Sequence, residues 1–198
     1  MSKYRKRRQE MKYFQKLVGE KIYLSPVHEE DAEIMTKWMN DLHVTDYLSY
    51  SGTIISLDDQ KKLVLKSSSD KEVVLAIVKK EDNTLVGRCN LFDINNIKRT
   101  ATLGILIGEE EDRSKGYGTE AVKLLIDFGF HYLNLNNIML TLLSVNERAK
   151  KTYEKVGFKE FGRRRQSTFL NGKYYDTIYM DILAKEFDQS HIQNKCIV

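Results

Sequence analysis

Two apolar, strand-prone runs flank an amphipathic helical pattern in the middle of this chain, and that arrangement restricts the fold more than any other feature. The first run covers residues 101–107 and the second residues 138–145. Between them, Ala121, Leu125, Phe128 and Tyr132 recur at helical spacing through residues 121–133, with Glu120, Lys123, Asp127 and His131 as the opposite polar stripe. His131 therefore reads as a solvated surface residue. The second run hardly alternates, the pattern of a strand buried on both faces and paired in parallel. A strand, crossover helix and parallel strand form a right-handed unit. The chain is accordingly expected to be α/β with a partly parallel sheet.

The first run is joined to the helix by Arg113-Ser114-Lys115-Gly116-Tyr117-Gly118-Thr119-Glu120. The first amides of a helix lack intrahelical partners and lie at the positive end of its dipole, so a phosphate can rest against them. Gly116 and Gly118 allow close backbone approach, and Arg113 and Lys115 add positive charge. The dinucleotide fingerprint is absent, because its third glycine position is Ala121, and no P-loop ending occurs. On these residues alone, a glycine-softened turn with two solvated basic side chains fits as well as an anion site.

The remaining segments supply a sheet and its covering helices. Residues 21–27 alternate like a strand, and residues 29–40 place Ala32, Met35, Trp38 and Met39 on one helical face, which makes Trp38 a core residue. A short helix over residues 57–67 is capped by Ser56, with Asp58 and Asp59 in its first turn. Residues 73–78 and 84–93 form a hairpin about Glu81-Asp82-Asn83, and a third strand, 100–107, follows the Asn95-Asn96 turn. After the second apolar run, Asn146 opens a helix over 147–156 that Gly157 ends in a left-handed conformation. Residues 158–183 read as two strands joined at Asn171-Gly172, a type I′ signal. By spacing, Asn146 is an N-cap and Tyr153, in line with Ala149 and Val156, is core.

Three segments in order, Leu103-Gly-Ile-Leu-Ile-Gly108, Arg113-x-x-Gly-Tyr-Gly-Thr-Glu-Ala121 and Asn146-x-x-Ala-x-x-x-Tyr-Glu-Lys-x-Gly-Phe158, resemble the GNAT superfamily of acyl-CoA-dependent N-acetyltransferases. Leu17-Val-Gly-Glu-Lys-Ile-Tyr-Leu-Ser-Pro-Val27, with Glu30-Asp-Ala-Glu33 and Trp38-Met-Asn-Asp41, resembles its ribosomal-protein N-terminal (alanine/serine) acetyltransferase branch. The resemblance spans residues 17–187. It implies an α/β acyl-CoA N-acyltransferase fold: a mixed, mostly antiparallel sheet whose central parallel pair splays around the cofactor, flanked by about four helices. It also implies acetyl-CoA as co-substrate and no metal. In the family the loop holds the pyrophosphate, here Arg113, Ser114, Lys115, Gly116, Tyr117, Gly118 and Thr119. Backbone at Leu106, Ile107 and Gly108 would bind the pantetheine and polarise the acetyl carbonyl. Asn146 would contact the pantetheine arm, and Tyr153 would give a proton to the departing thiolate. The helices at 29–40 and 57–67 would wall the acceptor site, with Tyr47 and Tyr50 as candidates to touch substrate.

The chain departs from the family pattern at two places. Ser114 replaces a glycine common in this branch, and Thr102 stands where many relatives carry a glutamate, so no general base is assigned. The charge run Glu109, Glu110, Glu111 and Asp112 reads as a solvated face. At pH 7 a peptide α-amine of pKa ~8 is about 10% neutral, against about 0.04% for a lysine-like amine of pKa ~10.4. A site without a base therefore suits a peptide or protein N-terminal α-amine, with a polyamine or an amino sugar as alternatives. An acyl-CoA-binding sensor is the non-enzymatic alternative.

The domain is expected over 17–187, between a basic tail, 1–16, with Lys3, Arg5, Lys6, Arg7 and Arg8, and a polar tail, 188–198, both outside the fold. Five basic residues with the single aromatic Tyr4 among them read no nucleic-acid sequence, and no apolar stretch approaches the ~18 residues of a membrane span. Cys89 and Cys196 have no metal-ligand spacing and make no disulfide framework, and Cys89 lacks a histidine nearby to activate it, so a cytoplasmic setting is expected. A homodimer is left open.

Overall fold

The structure, a computed structural model, describes residues 12–48, 52–65, 68–187 and 190–194. Tyr50, Cys196 and the basic cluster at the N-terminus lie outside these residues. The elements in chain order are β1 (Leu17–Val18), β2 (Ile22–Pro26), α1 (Asp31–Met39), α2 (Leu42–Thr45), α3 (Leu57–Leu65), β3 (Ser68–Ser69), β4 (Glu72–Lys79), β5 (Leu85–Asn95) and β6 (Thr100–Ile107). They continue with α4 (Tyr117–His131), β7 (Asn137–Leu143), α5 (Glu147–Val156), β8 (Lys159–Leu170) and β9 (Lys173–Leu183). Strand order is β1-β2-β4-β5-β6-β7-β9-β8, with β3 beside β4. Every pairing is antiparallel except β6 with β7.

The expected meander is present, and the turns are made by the residues that signalled them. Asn171 and Gly172 both have positive φ, +47° and +78°, as a type I′ turn requires. Gly157 closes α5 at φ +110° and its N–H reaches the carbonyls of Tyr153 and Glu154. Ser56 Oγ accepts the N–H of Asp59, which starts α3. The one-turn helix α2 is an addition to the four expected: Asp41 caps it by accepting the His43 N–H.

The two faces of the sheet carry separate cores. On one, Leu124, Leu125 and Ile126 of α4 pack with Leu24, Ile77, Leu91 and Ile138. On the other, Met35 and Trp38 of α1 pack with Val64 and Leu106. Trp38 is core, as its stripe required, and its indole N–H also donates to Glu109 Oε1 at 2.9 Å.

The helical stripe of α4 needs correction. Asp127, placed on the polar side by periodicity, is fully buried, while Tyr132, placed on the apolar side, is 53% exposed. The reason is a second layer laid over the polar stripe. Asp127 accepts hydrogen bonds from Ser190 Oγ and from the amides of His191 and Ile192, and His131 Nδ1 lies 2.8 Å from its Oδ1. Glu120 likewise accepts the Lys21 amide. The packed region thus extends past 17–187 at both ends: Ile192 is buried, and Tyr13 is buried with its hydroxyl on Asp31 Oδ1 at 2.7 Å.

Candidate active site

The parallel pair is short. β6 and β7 share a ladder only at Thr100↔Asn137, Ala101↔Ile138 and Thr102↔Met139. Past Thr102 each strand stays paired on its outer side, β6 with β5 as far as Ile107 and β7 with β9 as far as Leu143. Their inner edges separate, and a cleft of about 940 Å³ opens between them. Main-chain donors and acceptors on such edges can pair with the amides of an extended ligand.

One end of the cleft is formed by the start of a helix. Gly116, at φ +92°, is the residue before α4, and its carbonyl accepts the first helical bond, from the Glu120 N–H at 3.0 Å. The amides of Tyr117, Gly118 and Thr119 precede that bond. The helix therefore begins four residues earlier than its apolar periodicity suggested, which carries its positive end to the cleft. A Cβ on Gly118 would meet Ile107 Cγ1 at 3.6 Å and Ile105 Cδ1 at 3.9 Å, ordinary contacts, so protein packing does not demand a glycine there.

Of the residues expected at this end, Arg113, Ser114, Gly116, Gly118 and Thr119 line the cleft, whereas Gly108, Lys115 and Tyr117 do not. Gly108 lies under the Trp38 ring, where a Cβ would come within 2.0 Å of Cε2. Tyr117 packs against the core, and Lys115 Nζ lies 3.7 Å from Asp112 Oδ1. The Arg113 guanidinium donates to the carbonyls of Gly108 and His43, which ties α2 to the loop. The acidic run is not a solvated face throughout. Asp112 is buried near Lys79 and Lys115, and bonds from Lys37 and Trp38 hold the Glu109 carboxyl below its ordinary range. Sequence reading passed over Arg148, Lys151 and Lys155, which line the cleft from α5. Their spacing by three and four residues on one helix face was the signal that could have found them.

The far wall holds the other expected residues. Asn146 Oδ1 accepts the Ala149 N–H at 3.1 Å, so Asn146 caps α5, and it also lines the cleft. Tyr153 is half-buried, lines the cleft and packs edge-on against Phe158 with ring centroids 5.9 Å apart. Both residues thus keep the structural part that their spacing gave them and also face the cleft. Leu106 and Ile107 line the cleft from β6.

On the α1/α2 side, strand register brings together residues far apart in the chain. Arg88 faces Leu106, Asn90 faces Gly104, and Phe92 faces Thr102 across β5 and β6. Asn90 Nδ2 donates to Glu72 Oε1 at 3.1 Å, and its own oxygen lies 2.4 Å from where a Gly104 Cβ would stand. Val44, Tyr47 and Leu48 close this end. Among the described residues no histidine lines the cleft. Cys89 is buried on the opposite face, and burial pushes its thiol up, away from nucleophile chemistry. Among the described residues no group of three or more His, Cys, Asp or Glu could hold a metal ion, and no helix is long and apolar enough to cross a membrane.

Comparison with known proteins agrees with this geometry. Residues 21–159 match the acetyltransferase (GNAT) domain family. The spermidine N(1)-acetyltransferase of Escherichia coli K12 is 29% identical over 172 residues, 86% of this chain and 90% of its own length. The Vibrio cholerae spermidine N(1)-acetyltransferase is 32% identical over 132 residues, 67% of this chain and 76% of its own. The Bacillus subtilis protein named "Putative ribosomal N-acetyltransferase YdaF" is 31% identical over 107 residues, 54% of this chain and 58% of its own. Among solved structures, Vibrio cholerae spermidine N-acetyltransferase in complex with CoA and spermine gives a TM-score of 0.77 at 27% identity, over 84% of this chain and 97% of that one.

Proposed function

We propose, for a chain that belongs to the GNAT family of acetyltransferases and uses acetyl-CoA as its co-substrate, that the amine it acetylates is a peptide or protein N-terminal α-amine. The observation that carries this is the charge of the cleft. Among the described residues, Lys71, Arg88, Arg113, Arg148, Lys151 and Lys155 line it against Glu72, Asp93 and Asp112, with no histidine, and with Thr102 at the position where relatives with a base carry a carboxylate. A polycation gains little there, and an amine that is already partly neutral at pH 7 needs the least help.

In this reading the pyrophosphate rests against the amides of residues 117–119, with Arg148, Lys151 and Lys155 facing the remaining phosphate charge. Pantetheine lies between the separated edges of β6 and β7. The Ile107 N–H, which turns away from β5, polarises the acetyl carbonyl. The amine nitrogen forms the new C–N bond as the C–S bond breaks, and Tyr153 protonates the leaving thiolate. A phenol of pKa ~10 giving its proton to a thiolate of pKa ~8.5 goes uphill by only about 2 kcal/mol.

A polyamine acceptor is the second reading, favoured by the names of the Escherichia coli and Vibrio cholerae relatives. The test compares kcat/KM at pH 7 for short peptides with free N-termini, spermidine and an amino sugar, following CoA release. Peptides should lead. A clear preference for spermidine gives the site to polyamines, and tight acetyl-CoA binding without turnover of any amine leaves a sensor.

A further inference from the structure

The acceptor-side sheet face holds two opposite charges that do not meet. Glu72 and Arg88 both line the cleft and both are only partly exposed. Among the described residues neither forms an ion pair, with the other or with any other side chain. The Glu72 carboxylate is held by Asn90 at 3.1 Å, and the Arg88 guanidinium points at the thioether of Met39, 3.9 Å away. Arg88 and Asn90 are two residues apart on β5, so their Cα atoms differ by roughly 7 Å along the strand. Lys71 and Asp93, the other charged residues near this end, are exposed to solvent and opposite in sign. A half-buried charge without a counter-ion is left unsatisfied until something supplies one.

We infer that the acceptor is dipolar: an amine with a carboxylate about one residue away, its ammonium placed by Glu72 and Asn90 and its carboxylate bound by Arg88. The inference rests on the α-amine reading above and narrows it. The carboxylate belongs either to an acidic side chain at the second position of a peptide or to a free α-amino acid. A polyamine would satisfy Glu72 but set a like charge beside Arg88. On transfer the ammonium loses one proton to solvent past Glu72, its nitrogen lone pair forms the amide, the thiolate leaves with the proton given by Tyr153, and the second proton shed by the nitrogen restores the phenol. The reaction is R–NH3+ plus acetyl-CoA to amide, CoA thiol and H+.

The experiment measures kcat/KM for C-terminally amidated Ser-Glu and Ser-Gln peptides, free glutamate and spermidine, with the parent protein, Arg88→Gln and Arg88→Glu. Calorimetry with acetyl-CoA confirms that each variant keeps its cofactor site. The parent should prefer Ser-Glu to Ser-Gln about tenfold, Arg88→Gln should bring that ratio near one, and Arg88→Glu should move preference toward spermidine. Glu72→Gln should raise KM for the amine more than it lowers kcat. Turnover of free glutamate above Ser-Glu identifies the amino acid as the source of the carboxylate. Equal use of Ser-Glu and Ser-Gln, or a preference unchanged in Arg88→Gln, overturns the dipolar acceptor and leaves the α-amine reading standing. Turnover of spermidine alone overturns both.

Discussion

Ser114 occupies the left-handed region at φ +62°, where its Cβ crowds the backbone, and this is a physical reason for a glycine at that turn. Ser114→Gly should stabilise the protein by about 1 kcal/mol or less, raising Tm by about 2 °C in a thermal melt. Gly116 and Gly118 differ in kind. Gly116 is required by its own backbone at φ +92°, so a substitution there disturbs the turn itself. Gly118 meets only ordinary contacts, so Gly118→Val should fold normally and lose acetyl-CoA binding, because the added methyls fill space that the phosphates need. Unchanged affinity by calorimetry in the folded variant refutes the loop assignment. Tyr153→Phe keeps the edge-on contact with Phe158 and removes the phenolic proton. It should lower kcat on the order of 100-fold with little change in acetyl-CoA affinity. An unchanged kcat reduces Tyr153 to a packing residue.

At the scale of elements, helix α4 acts as a fastening rail. It lies on the sheet with its apolar side and holds chain segments from both ends of the molecule with carboxylates on the other side, Glu120 for Lys21 and Asp127 for residues 190–192. Burial alone pushes Asp127 upward, but the amides of His191 and Ile192, with His131 and Ser190, outweigh it and hold the carboxyl below its ordinary value. A lowered folded-state pKa contributes stability that is present above the unfolded value of ~3.9 and is lost as pH falls through the folded one. Asp127→Ala should cost at least about 2 kcal/mol at pH 7, since it strands several donors, and the difference from the parent should shrink below pH 4. Limited proteolysis should then cut near residue 190 in the variant first. A cost that does not change with pH would mean that the contact is packing alone. This element also shows why the sequence was only partly legible. Strands, turns and helix ends follow from local signals such as Asn171-Gly172, Gly157 and Ser56. Asp127 was misplaced because a period of 3.6 distinguishes two sides of a helix and says nothing of a distant segment laid over one of them. Glu72, Arg88 and Asn90 were invisible as a group for the same reason: cross-strand register brings them together, and register is not a local property.

For the whole molecule, the consequence of the short ladder is that the sheet is nearly two sheets. β1 to β6 and β7 to β9 meet along three residue pairs, and α4, which connects them in the chain, packs on β1, β2, β5 and β6. Past Thr102, the backbone groups of residues 103–107 that face the cleft have no strand partner on that side, although β5 holds the other side. In the proposed binding mode a pantetheine arm lying there would supply the missing partner and span the two halves, whereas a nucleotide alone would reach only the Gly116 turn and the α5 face. CoA and adenosine 3′,5′-bisphosphate therefore separate the two contributions. At one hundred times its dissociation constant, either ligand should stabilise the folded state by about 2.7 kcal/mol, which raises Tm by roughly 5 to 11 °C. Only CoA should slow amide hydrogen exchange within residues 103–107, by about tenfold or more, because only CoA brings acceptors to those N–H groups. Equal protection by the bisphosphate would show that closing the anion turn is enough to close the cleft, and the gap between β6 and β7 would then be a consequence of loop position rather than a seat for the pantetheine.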